Sequence, residues 1–288
     1  MAELSNWLIN YPLLTYAGVI LFGLLIGSFL NVVIYRLPVM LQREWQQECA
    51  ALTNQPVAPQ PTFNLSRPRS RCSQCQQQLS ALDNIPLLSW CVLRGRCRYC
   101  HSAISARYPL IELISGLLSV LALWQFGATP QLLGALLVCW LLLAMTAIDI
   151  DHLLLPDILT LSLLWLGLLF NLNAFFMPLF DAVLGAAIGY GILWSLYWLF
   201  KLATGKEGMG YGDFKLLAAL GAWFGWQSLL PILLIASIAG SLIGLTLMTS
   251  RKLNNERALP FGPALALGGI IYLFWGQQLV DWYWSIAL

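Results

Sequence analysis

Two aspartates and two pairs of cysteines have the types and spacing to do chemistry. Asp149 closes an apolar run in Ala147-Ile-Asp149-Ile-Asp151-His-Leu-Leu-Leu-Pro156-Asp157, and Asp213 follows three alternating glycines in Gly208-Met-Gly210-Tyr-Gly212-Asp213. Carboxylates beside long apolar runs are costly and default to functional hypotheses. Brought together, two of them can share one proton, one acting as base on water and the other as acid. Like charges at short range push their pKa values apart. That is the chemistry of an aspartic peptidase. Glycine tolerates positive φ and close backbone approach, so Gly210 and Gly212 are candidates for a backbone against which an extended peptide is laid. A phosphate cradle would end in Gly-Lys-Ser/Thr, and this stretch does not. The other acids read more plainly. Asp157, after Pro156, suits a helix cap or first turn. Asp151 suits a solvated loop charge beside His152, and Asp181 and Asp281 suit the ends of apolar runs. Glu112 lies inside an apolar run and fits either an arginine partner or a site.

Cys72-Ser-Gln-Cys75 and Cys97-Arg-Tyr-Cys100 are separated by 21 residues. Two C-x2-C pairs at such spacing make a tetrahedral zinc site, each pair turning two thiolates onto one ion. Four protein ligands leave no open position, so the metal would be structural. An iron–sulfur cluster draws on the same ligands. A redox C-x-x-C would need a βαβ setting, which the flanks lack. Cys49, Cys91 and Cys139 read as small core residues, and His101 as a spare polar side chain or a fifth ligand. Arg67, Arg69, Arg71, Arg94, Arg96 and Arg98 surround the pairs. Such a cluster suits nucleic acid, but beside a membrane it suits anionic headgroups as well. The expectation is a lipid surface and no nucleic acid.

A membrane bundle must position these residues. Of 288 residues, 59% are hydrophobic and 10% charged, whereas soluble domains run at roughly 45–50% and 25%. That balance excludes a soluble globular protein and a disordered chain. Apolar runs occupy 13–34, 109–126, 131–148, 157–176, 180–200, 214–226, 228–249 and 261–287. A spanning helix takes about 20 residues. The run 214–226 is short and interrupted by Gly221 and Gly225. The pattern predicts an all-α polytopic membrane protein with about eight transmembrane helices, or seven if the short run is re-entrant. No Lys or Arg precedes the first run, so the basic n-region of a cleavable signal is missing and the run reads as a permanent helix. With the N-terminus outside, all 15 Lys and Arg fall on one side: nine from Arg36 to Arg107, then Lys201, Lys206 and Lys215, then Arg251, Lys252 and Arg257. The positive-inside rule makes that side cytoplasmic, and Asp149 and Asp213 lie at its edge. A reducing compartment disfavours disulfides among the four cysteines. The predicted organisation is a first transmembrane helix over 1–36, a cytoplasmic four-cysteine domain over 37–107 and a transmembrane core over 108–288. The polar domain begins with a helix over 39–52 and a Pro-rich stretch over 56–61.

Two other function classes compete. A proton-coupled transporter also carries intramembrane carboxylates, but predicts inverted repeats and charges near the midplane. Here the acids cluster at one edge and no repeat is evident. A non-enzymatic scaffold built on the metal loop leaves the glycines before Asp213 unexplained.

In order and spacing, these residues resemble the bacterial type IV prepilin peptidases, bifunctional leader peptidases and N-methyltransferases, over essentially the whole chain. The resemblance is carried by Gly23-Leu-Leu-Ile-Gly27-Ser-Phe-Leu-Asn31-Val-Val-Ile-Tyr-Arg36-Leu-Pro38, the paired C-x2-C loop, Asn84-Ile-Pro86, Tyr108-Pro109-Leu-Ile-Glu112, Asp149 with Pro156-Asp157, the Gly-x-Gly-Asp of 210–213, and Pro260-Phe-Gly-Pro263. It implies that Asp149 and Asp213 form the catalytic pair of a GxGD aspartyl peptidase in the bacterial inner membrane. It implies prepilin and type II secretion pseudopilin substrates, cut after the glycine that ends a short basic leader. The new N-terminal residue would then be methylated from S-adenosylmethionine, with Gly95 implicated in methylation and zinc held by the four cysteines. No S-adenosylmethionine motif is readable in the residues themselves, so a peptidase without methyltransferase activity stays open.

Overall fold

A computed structural model describes residues 11–54, 61–249 and 259–287. Arg251, Lys252 and Arg257, with residues 56–60 of the Pro-rich stretch, lie outside the described residues. Among the described residues the chain is helical, with two isolated bridges and no strand. The long helices are α1 (Pro12–Leu52), α3 (Arg107–Phe126), α4 (Pro130–His152), α5 (Asp157–Asn171), α6 (Leu179–Thr204), α7 (Tyr211–Phe224), α8 (Leu229–Thr249) and α9 (Gly262–Ala287), and a short α2 (Leu88–Val92) lies in the polar loop. Each predicted apolar run therefore becomes one helix. Six of them are long and apolar enough to cross a membrane: α1, α3, α4, α6, α8 and α9. The other two, α5 and α7, have 15 and 14 residues, short of the roughly 20 that a bilayer takes.

Two compact units divide the chain, Met1–Trp124 and Gln125–Leu288. In the first, α1 runs unbroken for 41 residues through Pro38, where the sequence suggested one helix ending and another starting at 39. A proline inside a helix removes one backbone bond. Residues 39–52 are rich in Met, Leu, Gln, Glu, Arg and Ala, good helix formers that need no new nucleus once the turn before them exists. At about 1.5 Å per residue the helix is roughly 60 Å long, about twice a bilayer core. Its N-terminal half crosses α3 through small residues. A side chain on Gly23 would meet Ser119, and one on Gly27 would meet the backbone of Glu112 and the side chain of Ser115. The Ser115 hydroxyl closes the crossing by donating to the Gly23 carbonyl at 2.6 Å. Near the end of that half, buried Arg36 has carbonyls rather than a carboxylate around it. Its guanidinium donates to Asn64 (2.9 Å), Leu65 (3.4 Å) and Pro68 (2.6 Å), which fastens the loop that leads to the cysteines.

In the second unit α7 is the centre. Residues 216–224 are buried without exception, and the helix packs against α5, α6 and α9. A helix apolar all round belongs inside a bundle, and α7 is enclosed in this way along 216–224. At its crossing with α6 the two backbones touch: a side chain on Gly221 would strike the Gly185 carbonyl, and one on Gly185 would strike the Gly221 carbonyl. Asn171, fully buried, seals the far end of α7. Its amide donates to the Ala222 and Trp223 carbonyls at 2.9 and 3.1 Å, and its oxygen accepts from the Phe176 and Met177 N–H groups. Gly221→Ala should therefore destabilise the bundle by about 1–3 kcal/mol, the usual cost of overpacking. The thermal midpoint of the purified protein in detergent measures it, and an unchanged midpoint would refute the contact.

Candidate functional site

Asp149 sits in the last turn of α4, only 5% exposed. The helix ends on Leu153 in the left-handed conformation, whose N–H returns to the Asp149 carbonyl at 2.9 Å. Beyond that turn Leu155 is buried. Asp213 is the third residue of α7, 7% exposed. Its carboxylate lies against the backbone of Gly210, the residue that caps the helix: Oδ2 is 3.9 Å from the place a side chain would take there. Asp149 reaches a helix start too: its Oδ2 lies against Gly262, the first residue of α9. Three elements thus converge. A side chain on Gly212 would meet Leu155 at 2.7 Å, and one on Gly262 would meet the same leucine at 3.1 Å and Asp149 Oδ2 at 2.5 Å. Leu155 packs beneath both glycines, so the helix ends that carry Asp213 and that meet Asp149 come together on one leucine.

The glycines before Asp213 provide room rather than unusual backbone. Gly208, Gly210 and Gly212 all have negative φ; Gly205, at the end of α6, is the left-handed one. The space beside Gly212 is filled by Leu155 and that beside Gly208 by the Phe200 ring, whereas beside Gly210 only Asp213 Oδ2 comes within 4 Å, at 3.9 Å. Open backbone thus faces the carboxylate at Gly210 alone. Asp157 takes the first turn of α5, as its sequence setting suggested, and its carboxylate bonds Lys215 of α7 at 2.6 and 2.7 Å. That pair ties the starts of α5 and α7 together two residues from Asp213. Glu112 is buried and takes a backbone partner rather than an arginine, accepting from the Leu87 N–H at 2.9 Å.

In the first unit the four cysteines come together. The sulfurs of Cys72, Cys75, Cys97 and Cys100 lie within 4.8 Å of one another, and Cys72 and Cys100 are 3.8 Å apart. A tetrahedral ion with bonds of about 2.3 Å separates its sulfurs by about 3.8 Å, so the cluster fits such a metal. Each pair sits on its own hairpin, and the two hairpins have the same form. Arg71 bridges Gln78 and Arg96 bridges Ala103; Cys72 N–H donates to Gln77 and Cys97 N–H to Ser102. Gln76 and His101 take matching left-handed positions, φ +57 and +56, so His101 is a turn residue outside the sulfur cluster. The N–H groups of Cys75 and Gln74 and the Ser102 hydroxyl point at the Cys72 sulfur and lower its thiol to about 6, against the opposing effect of burial. A thiolate is the form a metal takes. Gly95 needs its residue type twice over. Its φ is +68, and a side chain there would meet the Trp90 ring at 2.9 Å.

Sequence reasoning passed over Ser102, whose hydroxyl lies 3.1 Å from the Cys100 sulfur, because a lone serine carries no signal. It had Gly262 only inside a family motif. A glycine after an aromatic residue at the start of an apolar run was the available sign.

Comparison with known proteins follows the same division. Residues 21–126 match the bacterial peptidase A24 N-terminal domain, and residues 136–245 match the type IV leader peptidase family. A protein of Aeromonas salmonicida (strain A449) is 55% identical over 292 residues, covering 100% of this chain and 99% of its own. One of Pseudomonas aeruginosa is 50% identical, covering 99% and 98%. One of Legionella pneumophila is 49% identical, covering 96% of each. All three are named prepilin leader peptidase/N-methyltransferase. No solved structure matches the chain.

Proposed function

The chain belongs to the type IV leader peptidase family, and from that membership we propose that Asp149 and Asp213 remove the leader of prepilins. The protein is a multi-pass membrane peptidase and N-methyltransferase. Its substrates are prepilins and, on our reading, type II secretion pseudopilins. The single observation that carries the site assignment is the pair of buried carboxylates in one unit, each set against a glycine where a helix begins. One carboxylate takes a proton from water as the water oxygen attacks the scissile carbonyl. The other gives a proton to the departing amine as the C–N bond breaks and its electron pair passes to nitrogen. The open backbone at Gly210 suits an extended strand of substrate beside Asp213, and Gly212 lets Leu155 pack close. The 15 basic residues support an inner-membrane orientation with the N-terminus periplasmic and both aspartates at the cytoplasmic side, where a short basic leader would be retained.

Cys72, Cys75, Cys97 and Cys100 would hold zinc, which when bound locks the two hairpins together. We assign the methyl donor as S-adenosylmethionine, a substrate consumed in the reaction, on the strength of the family resemblance, and Gly95 to the methylation region on the same ground.

Mass spectrometry of the N-terminus of a co-expressed prepilin tests the reading, since it registers leader removal and the added methyl group together. An intact leader with the wild-type enzyme would refute it. Gly262→Ala supplies a finer test. The added methyl group would sit 2.5 Å from Asp149 Oδ2, and displacing a reacting group by a fraction of an ångström to an ångström costs up to about a hundredfold. Leader removal should slow by about ten- to a hundredfold while the thermal midpoint holds; an unaffected rate would remove Gly262 from the site.

A further inference from the structure

The loop that carries Gly210 to Asp213 holds few side chains able to fix it. Residues 205–210 contain three glycines, whose backbones range widely when nothing restrains them. Yet the Gly210 backbone must stay beside the Asp213 carboxylate, whose Oδ2 faces its open side. One side chain of α6 crosses to this loop. Lys201 Nζ donates to Glu207 Oε1 at 2.9 Å and to the Tyr197 hydroxyl at 3.1 Å, and lies 5.4 and 5.5 Å from the Tyr197 and Trp198 ring centroids. Tyr197 is 4% exposed. Its ring packs on Tyr211 (5.3 Å between centroids) and Phe214 (5.7 Å), the residues on either side of the Gly212-Asp213 step. One turn further along α6 the Phe200 ring fills the place of a side chain at Gly208.

We propose that Lys201 is a positioning residue: by joining Tyr197 to Glu207 it clamps the Gly-x-Gly-Asp loop to α6 and so sets the Asp213 carboxylate. This rests on the reading of Asp213 given above. The ammonium also holds the Glu207 carboxyl below the usual carboxylate range, chiefly through its hydrogen bond, so the pair is charged at neutral pH. Ion pairs exposed on one side contribute little to overall stability. The clamp therefore acts on loop placement rather than on folding, which separates it from a merely structural contact.

The experiment compares Lys201→Met, Lys201→Arg, the swap Lys201→Glu with Glu207→Lys, and Asp213→Ala, assaying leader removal in detergent with a purified prepilin. Lys201→Met should lower kcat about tenfold with KM within about twofold, leave the thermal midpoint unchanged and speed amide exchange across 205–210. Lys201→Arg and the swap should each recover most of kcat. A wild-type kcat in Lys201→Met, or a loss that comes with a lowered midpoint and is not recovered by arginine or by the swap, overturns the clamp. If Asp213→Ala still cleaves, the dyad fails and the clamp with it. If Asp213→Ala is inert while Lys201→Met is unimpaired, the clamp alone fails.

Discussion

Asp149→Asn and Asp213→Asn should each leave a co-expressed prepilin carrying its full leader, with cleavage slowed about a thousandfold or more. Asparagine keeps the shape of aspartate and one acceptor oxygen. Packing beside Leu155 is therefore preserved, and only the proton chemistry is lost. A positioned acid or base contributes about 10²–10⁴ to a rate. Groups that act as a unit are not additive, so the double variant should be barely slower than either single one. Thermal midpoints close to wild type would show that folding is intact. A single variant with more than about a tenth of the wild-type rate would refute the dyad. Asp151→Asn, at an exposed position, should be much milder.

The second large effect concerns the cysteines. Cys97 is 1% exposed, at the heart of the sulfur cluster. Cys97→Ser removes one of four ligands from a closed site, and metal binding to such sites is worth on the order of 10–16 kcal/mol of apparent free energy. Zinc measured by elemental mass spectrometry should fall from stoichiometric to near zero. Proteolysis should open the polar loop while the unit from Gln125 to Leu288 stays whole. By the family resemblance, methylation should be lost and leader removal should suffer less. Full zinc in the variant, or none in the wild type, would refute the four-cysteine site.

Much of this was legible in the sequence because apolar runs declare helices regardless of their partners. The start of α5 was marked by Pro156 and Asp157, and the C-x2-C spacing showed the four-sulfur cluster before any geometry. What escaped depended on tertiary context. Pro38 reads as a break, yet the good helix formers after it carry α1 onward. The enclosure of α7 follows from neighbours distant in sequence, and a run of 14 residues alone cannot distinguish a re-entrant segment from a buried one. The contact of Gly262 with Asp149 joins residues over a hundred positions apart, and the Lys201–Glu207 bond uses two ordinary surface residue types that no pattern marks. Glycine at 210 was noticed for its freedom to turn, whereas the backbone there uses an ordinary φ and only the space.

The two matching hairpins have a consequence for the order of synthesis. Cys97 is translated about 25 residues after Cys72, which at 5–20 residues per second is a gap of about 1–5 s. During that interval the first hairpin is only half a site, with two sulfurs and no way to close a tetrahedron. Its metal affinity must be weak until the second hairpin emerges, so capture of the ion waits for the later half of the loop and then closes the earlier one with it.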